Sequence, residues 1–188
     1  MKDNTLHTKY RPTSFDTLVG HEQAVTRLRG MVKSNELPGA ILITGPSSVG
    51  KTTLARALAF EVNGVPVGEQ ADFMEVNAAE QRTIDDMREL IRSSKYMPRH
   101  KYRFIIIDEA QQLLSNATAA QAILKPLEEA GKTRTIWILC SMDPAKFKSA
   151  TGKAIANRCS QFVLTTHSHE DLTKQGIRII KGEKMGAY

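Results

Sequence analysis

The 188-residue sequence has only two cysteines, Cys140 and Cys159, and neither lies in a CxxC or Cys/His spacing. A disulfide scaffold and a zinc site are therefore not predicted, and both thiols are expected to be small buried groups. No apolar run approaches the ~18 residues of a membrane helix, and runs such as Phe104 to Ile107 have the length of a strand. The polar N-terminus lacks a signal-peptide core. We therefore expect a cytoplasmic protein, or one in a cytosol-like host interior, with no membrane partner.

The sequence also lacks internal repeats and low-complexity segments. Apolar residues make up 41% of the chain and charged residues 24%, which is the ordinary globular range and excludes a disordered, collagenous or coiled-coil protein. The 26 basic side chains exceed the 20 acidic ones, giving a formal charge of +6. This excess favours an anionic partner such as a nucleotide or a nucleic acid, but it does not choose between them.

Short apolar segments alternate with helical patterns along most of the chain. Strands are expected at 40–44, 73–76, 103–108, 135–141 and 161–166. Helices are expected at 21–32, from about 51, around 84–91, at 116–127 and within 168–188. The first fifteen residues should be extended, and Pro126 should either kink its helix or open the next turn. Strands that are apolar throughout predict an α/β fold, a parallel five-stranded sheet with helices on both faces.

Residues 45–52 have the pattern GxxxxGK[ST] directly between a predicted strand and a predicted helix. Gly45 and Gly50 allow successive backbone amides to turn onto a β-phosphate at the positive end of the helix. Lys51 would neutralise charge on the β- and γ-phosphates, and the Thr52 hydroxyl would ligate Mg²⁺. The residues expected to contact the nucleotide in this segment are Gly45, Pro46, Ser47, Ser48, Val49, Gly50, Lys51, Thr52 and Thr53.

Two acidic residues, Asp108 and Glu109, end the third predicted strand. If this strand lies beside the phosphate loop, Asp108 reaches the magnesium shell and Glu109 can polarise or deprotonate the water that attacks the γ-phosphate. The pair favours hydrolysis over simple nucleotide binding, because a module that only holds a nucleotide does not need Glu109.

Together these segments resemble the ATPase domain of AAA+ sliding-clamp loader subunits, of the replication factor C and bacterial gamma-complex type. The resemblance extends from about Leu6 to Lys184. Besides the phosphate loop and the Asp-Glu-Ala-Gln motif at 108–111, it rests on the segments 9–12, 18–23, 73–78 and 156–162. Viral, archaeal and eukaryotic loaders are the closer comparison, because the bacterial zinc insertion is absent.

The resemblance implies an AAA+ P-loop NTPase domain at 1–166 and the beginning of a helical lid at 167–188. It implies ATP and Mg²⁺ as cofactors, and other loader subunits, a sliding clamp and primer-template DNA as partners, in the cytoplasm or in a viral replisome in host cytoplasm. The sensor 2 arginine and the oligomerising collar of the family have no counterpart in this sequence. The N-terminal residues that the resemblance assigns to the adenine pocket are Tyr10, Arg11, Pro12, Val19 and Gly20.

The resemblance also assigns roles to residues outside the phosphate loop. Arg158 stands at the position of the arginine finger, which completes the site of a neighbouring subunit. Arg82, Thr83 and Arg88 stand where the family follows the phosphates of primed DNA, and a solvated charged face is the alternative. For sensor 1, the family position whose polar residue helps to place the attacking water, the candidate is Ser141. It stands next to Met142, which occupies the position of the family's polar residue.

Other functions are compatible with parts of the pattern. A structural subunit that does not hydrolyse ATP would keep the fold and supply Arg158, and another AAA+ DNA-remodelling ATPase would share the motifs. One half of a DEAD-box-like helicase would also contain motifs similar to the Asp-Glu-Ala-Gln at 108–111 and the Ser-Ala-Thr at 149–151. The interval between Lys51 and Asp108, however, leaves little room for the other helicase motifs. A small-molecule kinase is disfavoured by the N-terminal adenine box.

Overall fold

The computed structural model describes residues 5–80 and 83–183. Its centre is a five-stranded sheet in the order β2-β3-β4-β1-β5, and all four neighbouring pairs are parallel. The strands are β1 (Ala40–Thr44), β2 (Phe73–Asn77), β3 (Arg103–Asp108), β4 (Thr135–Ser141) and β5 (Ser160–Val163). The predicted α/β fold is confirmed.

Eight α-helices and several short 3₁₀ turns connect the strands in the described residues. The helices are α1 (Leu6–Lys9), α2 (Glu22–Ser34), α3 (Lys51–Asn63), α4 (Ile84–Ser94), α5 (Ala117–Ala122), α6 (Leu124–Glu129), α7 (Ala150–Ala156) and α8 (His169–Gly182). Within the same residues, no helix is both long enough and apolar enough to cross a bilayer.

The sheet buries both of its faces, as a parallel sheet must. Alternate residues of a strand point to opposite faces. In β1, Ile41 and Ile43 pack with Leu58 of α3 on one face, while Leu42 packs in the cluster of Met87 of α4 on the other. Helices therefore cover both sides, and the free carboxyl ends of the strands form one edge where a ligand can bind.

Three local expectations differ from the structure. Residues 6–9 form a helical turn instead of an extended segment, and Lys9 at its end pairs with Glu183 at 2.7 Å. The helix expected at 116–127 is divided into α5 and α6, and Pro126 lies in the first turn of α6, where its missing N–H is tolerated. The fifth strand ends at Val163, because its neighbour β1 ends at the paired residue Thr44 and turns into the phosphate loop.

A buried carboxylate fixes the loop between α4 and β3. Asp72, only 1% exposed, accepts hydrogen bonds from the backbone amide of His100 at 2.8 Å, the His100 ring at 3.0 Å and the Arg103 guanidinium at 3.0 Å. Burial by itself raises the pKa of Asp72, but these donors override it and hold the pKa below its ordinary value. The loop is therefore tied to the start of β2 by an ion pair in the protein interior.

Candidate nucleotide-binding and catalytic site

The phosphate loop begins at the carboxyl end of β1, and its geometry requires glycine at two positions. Gly50 has φ 98° and ψ 20°, in the left-handed region, and directly precedes α3. A Cβ atom added to Gly45 would collide with the carbonyl oxygen of Leu164. Ser48 also has a positive φ of 62°. The backbone therefore turns tightly into the N-terminus of a 13-residue helix, whose first amides have no partner within the helix.

Lys51 lies at the start of α3 and is 6% exposed. Its Nζ donates to the carbonyl oxygen of Gly45 at 3.0 Å and to that of Pro46 at 2.6 Å. The ammonium group is thus held within the loop by two neutral carbonyls. This places a full positive charge beside the positive end of the helix, and the combination suits a phosphate group.

The two predicted magnesium ligands are in direct contact. The Thr52 hydroxyl donates to Asp108 Oδ2 at 2.7 Å, although the two residues come from α3 and β3. The other carboxylate oxygen, Oδ1, accepts the backbone amide of Glu109 at 2.9 Å. Hydroxyl and carboxylate oxygens are the ligands that Mg²⁺ prefers, with phosphate oxygens and waters completing the shell. These two residues therefore fit the ion, and in residues 5–80 and 83–183 no cluster of three His, Cys, Asp or Glu residues offers a metal site of another kind.

Glu109 follows β3 in a left-handed backbone conformation, with φ 51° and ψ 38°. Such a conformation is uncommon for a residue other than glycine and is often found at functional sites. The Gln111 side-chain amide donates a hydrogen bond to Glu109 Oε2. Gln111 is 1% exposed, and its Oε1 has no hydrogen-bond partner. Gln111 is not among the residues predicted for the site, although its place in the Asp-Glu-Ala-Gln motif was an available signal.

These groups open into a cavity of about 610 Å³. Its predicted lining residues are Tyr10, Arg11, Pro12, Ser47, Ser48, Gly50, Lys51, Thr52, Thr53, Asp108 and Glu109. Leu6 of α1 and Gln175 and Ile179 of α8 also line it and were not predicted. Gln175 and Ile179 are four residues apart and so share a helix face, which was the available signal. The cavity is therefore built by the N-terminal segment, the phosphate loop, the end of β3 and α8.

A second cavity of about 270 Å³ shares Pro12, Gly50 and Gln175 with the first and is lined by His21 and Val49. The His21 ring nitrogen Nε2 lies 2.8 Å from the Val49 carbonyl oxygen. Burial lowers the pKa of His21, so a neutral ring that donates this bond is favoured at neutral pH.

Two of the residues predicted for the adenine pocket lie apart from the first cavity. Val19 and Gly20 line a separate groove that includes Asp171 of α8. An added Cβ at Gly20 would approach His167 Nδ1 to 2.9 Å. The structure therefore brings Tyr10, Arg11 and Pro12 to the phosphate site, and places Val19 and Gly20 against the start of α8.

The residues considered for sensor 1, Ser141 and Met142, lie at the carboxyl end of β4, between the phosphate loop and Asp108. Ser141 is fully buried, its hydroxyl accepts the Asp143 amide at 3.1 Å, and its carbonyl oxygen accepts the Gly45 amide at 3.1 Å. Met142 is 45% exposed. Ser141 is thus engaged in the turn after β4 and supports the phosphate loop through its backbone.

The residues predicted for DNA and for the neighbouring subunit lie away from the cavity. Thr83 caps α4, and its hydroxyl donates to Asp86 Oδ2 at 2.6 Å, which lowers the pKa of Asp86. Arg88 pairs with Asp85 at 3.0 Å on the exposed face of the same helix. Arg158 pairs with Glu128 at 3.2 Å. Arg82 lies outside the described residues.

The fold and the site define an AAA ATPase. Residues 41–175 match the family described as ATPase family associated with various cellular activities (AAA), and the chain belongs to this family.

Within the family, it is related to the replication factor C small subunit and to subunit tau/gamma of DNA polymerase III. It is 35% identical to the replication factor C small subunit of Natronomonas pharaonis over 174 residues, covering 92% of this chain and 50% of that protein. It is 30% identical over 203 residues to DNA polymerase III subunit tau/gamma of Haemophilus influenzae, covering 98% of this chain and 28% of that protein. The chain thus spans about half the length of the small subunits it matches.

Solved structures share the fold. A RuvB protein of Thermotoga maritima superposes with a TM-score of 0.71 at 17% identity, over 93% of this chain and 55% of that one. A gamma subunit-related DNA polymerase III protein of the same organism gives 0.64 at 21% identity, over 82% and 53%.

Proposed function

We propose that the chain is an ATP-binding and ATP-hydrolysing subunit of a sliding-clamp loader. The observation that carries this proposal is the contact between Thr52 and Asp108, in one cavity with Lys51 and Glu109. A protein that only binds nucleotide does not need Glu109 in addition to Lys51, Thr52 and Asp108. The relationship to replication factor C small subunits supplies the biological context.

In this proposal each side chain has one task. The loop amides, the start of α3 and Lys51 bind the β- and γ-phosphates. Thr52 and Asp108 would hold Mg²⁺, which neutralises charge on the phosphates when it is bound. Glu109 orients the attacking water and takes its proton, and Gln111 fixes the Glu109 carboxylate. Gln175 and Ile179 close the cavity from the side of α8.

The site is completed by a neighbouring subunit. Arg158 is not among the residues that line the cavity, and its guanidinium is bonded to Glu128 and to the Ala154 carbonyl oxygen. Because these contacts hold the Arg158 guanidinium outside its own cavity, it is available to the γ-phosphate bound by an adjacent molecule. Such a finger contributes roughly 10³–10⁵ in rate in other phosphoryl-transfer enzymes.

The division of the chain and its partners belong to the same proposal. Residues 1–166 form the ATPase domain, and α8 begins a helical lid at 167–188. Other loader subunits, a sliding clamp and primer-template DNA are the proposed partners. The groups that would contact the DNA phosphates are the start of α4 at Thr83 and the positive charge of Arg88. Asp85 and Asp86 in the same turn, however, repel phosphate, so Arg88 would have to exchange Asp85 for the DNA backbone.

A second candidate function is a subunit that binds ATP without hydrolysing it. One observation favours it: the Ser141 hydroxyl is used by Asp143, and Met142 has no hydrogen-bonding hydroxyl or amide in its side chain. Such a subunit would still supply Arg158 to its neighbour.

The trans role of Arg158, which both candidates share, is tested with variants in the assembled complex. Arg158→Ala should leave ATP affinity and the slow basal hydrolysis of the isolated chain unchanged, and should lower turnover in the complex at least about tenfold. Lys51→Ala should abolish tight ATP binding in its own subunit. The exposed Arg134→Ala serves as the control and should change neither rate.

Complementation then tests the direction of the contact. If Arg158 acts in trans, a Lys51→Ala defect in one subunit and an Arg158→Ala defect in its neighbour can both fall on the interface between these two subunits. Another interface of the complex then remains intact. If Arg158→Ala lowers the basal rate of the isolated chain, or has no effect in the complex, the trans assignment is wrong. If Glu109→Gln does not affect turnover of the complex, the non-hydrolysing candidate replaces the first.

A further inference from the structure

The Arg158 guanidinium makes three hydrogen bonds to two acceptor oxygens of its own chain. Its Nε and Nη2 atoms both donate to Glu128 Oε2, at 3.4 and 3.2 Å, and Nη1 donates to the Ala154 carbonyl oxygen at 2.8 Å. One third of the Arg158 side chain remains exposed. The group is therefore accessible to a partner and yet restrained.

The pattern of donors leaves a definite part of the guanidinium free. A guanidinium has five N–H groups in a rigid plane, and three of them are used by these contacts. One of the two that remain is on Nη1 and the other is on Nη2. Both are available to oxygens of a phosphate.

The groups that restrain Arg158 belong to regular, well-packed elements. Glu128 is in α6 next to Leu127, which is buried in the core. Ala154 is in α7 next to Ile155, which is also buried. Because these buried neighbours anchor the backbone at both positions, Glu128 and Ala154 can hold a long side chain in one orientation, although the Glu128 side chain itself is 67% exposed.

We propose that Glu128 is a positioning residue for Arg158: it orients the guanidinium so that its two free N–H groups face the γ-phosphate of a neighbouring subunit's ATP. The inference rests on the trans role proposed above. Arginine has many rotamers, and restraining them before the subunits meet removes an entropic penalty from the transition state. Glu128 therefore acts on rate and not on nucleotide affinity.

The test uses the complex assembled with its partner subunits, with ATP turnover as the measurement. Glu128→Ala should lower kcat about three- to fivefold, which is the effect that a partly exposed ion pair allows, and should leave the KM for ATP unchanged. Glu128→Gln retains an acceptor oxygen and should recover most of the rate. Glu129→Ala is the matched control, because it is on the same helix and pairs with Lys125 at 3.7 Å instead.

A double variant separates positioning from a general structural effect. In the Arg158→Ala background, Glu128→Ala should cause no further loss. A further loss would show that Glu128 acts independently of Arg158 and would overturn the inference. A wild-type rate for Glu128→Ala would also overturn it, and so would a higher rate, which would indicate that Glu128 restrains Arg158 from acting.

A measurement on the isolated chain distinguishes failure of this inference from failure of the trans proposal. By NMR, the Arg158 Nε proton should exchange with solvent faster in Glu128→Ala than in wild type, and Glu129→Ala should not change it. If exchange is unchanged, Glu128 does not hold Arg158. If exchange responds but Arg158→Ala has no effect in the complex, the contact exists and the trans function is wrong.

Discussion

At the scale of single residues, the side chains of the site are held by hydrogen bonds to one another and to the backbone of the phosphate loop. Lys51 is bonded to loop carbonyls, Thr52 to Asp108, and Glu109 to Gln111. Each of these contacts holds a group that the proposed mechanism uses in a defined place. Such positioning reduces the reorganisation that catalysis requires.

Glu109→Gln tests the catalytic role most directly. The amide keeps the shape of the side chain but cannot take a proton from water, so turnover in the assembled complex should fall about 10²- to 10⁴-fold. ATP affinity, measured by calorimetry, should remain within about twofold, because Glu109 is not expected to bind the phosphates. Glu36→Gln, on the exposed surface after α2, is the control. Normal turnover in Glu109→Gln would exclude this residue as the base and favour the candidate that does not hydrolyse ATP.

At the scale of elements, the loop between α4 and β3 depends on the buried contacts of Asp72 with His100 and Arg103. Removing one partner of a buried ion pair leaves the other charge without compensation. The Arg103 side chain is only 11% exposed, so solvent cannot replace the carboxylate fully.

Asp72→Asn should therefore lower the free energy of unfolding by about 3 kcal/mol at pH 7, measured by urea denaturation. Because the folded-state pKa of Asp72 is lowered, its contribution is present above the ordinary carboxyl pKa and is lost as pH falls through the lowered value. The difference between wild type and variant should shrink in acid. Asp85→Asn breaks an exposed pair and should change stability by less than about 0.5 kcal/mol. An equal loss in both variants would contradict this account.

The sequence predicted the central elements well because their signals are local. β1, β3 and β4 are buried runs with clear boundaries, and the phosphate loop has a defined residue pattern. Tertiary packing between distant segments brings Gln175 and Ile179 to the cavity. The same kind of packing pairs Arg158 with Glu128. The spacing of Gln175 and Ile179 places them on one helix face, but no local pattern encodes which segment that face or the Arg158 side chain contacts, so the sequence alone could not predict these contacts.

At the scale of the whole molecule, the nucleotide cavity is a meeting point of segments far apart in the chain. Lys9 pairs with Glu183 at 2.7 Å, and Arg178 Nη1 donates to the Thr17 carbonyl oxygen at 2.9 Å. These contacts tie the N-terminal segment to α8, and both segments line the cavity with the phosphate loop. Since the two tethers are polar and mostly at the surface, they are weak on their own.

A ligand that touches all three segments acts as a noncovalent cross-link between them. Hydrogen exchange followed by mass spectrometry should show that Mg-ATP slows amide exchange in peptides around Tyr10 and in α8 together, although more than 150 residues separate them. Peptides from α4, remote from the cavity, should be unchanged, and the Lys51→Ala variant should show no protection at either segment. Protection confined to the phosphate loop would mean that α8 does not engage the nucleotide. Joint protection would make the exchange rate of α8 a direct reporter of nucleotide occupancy.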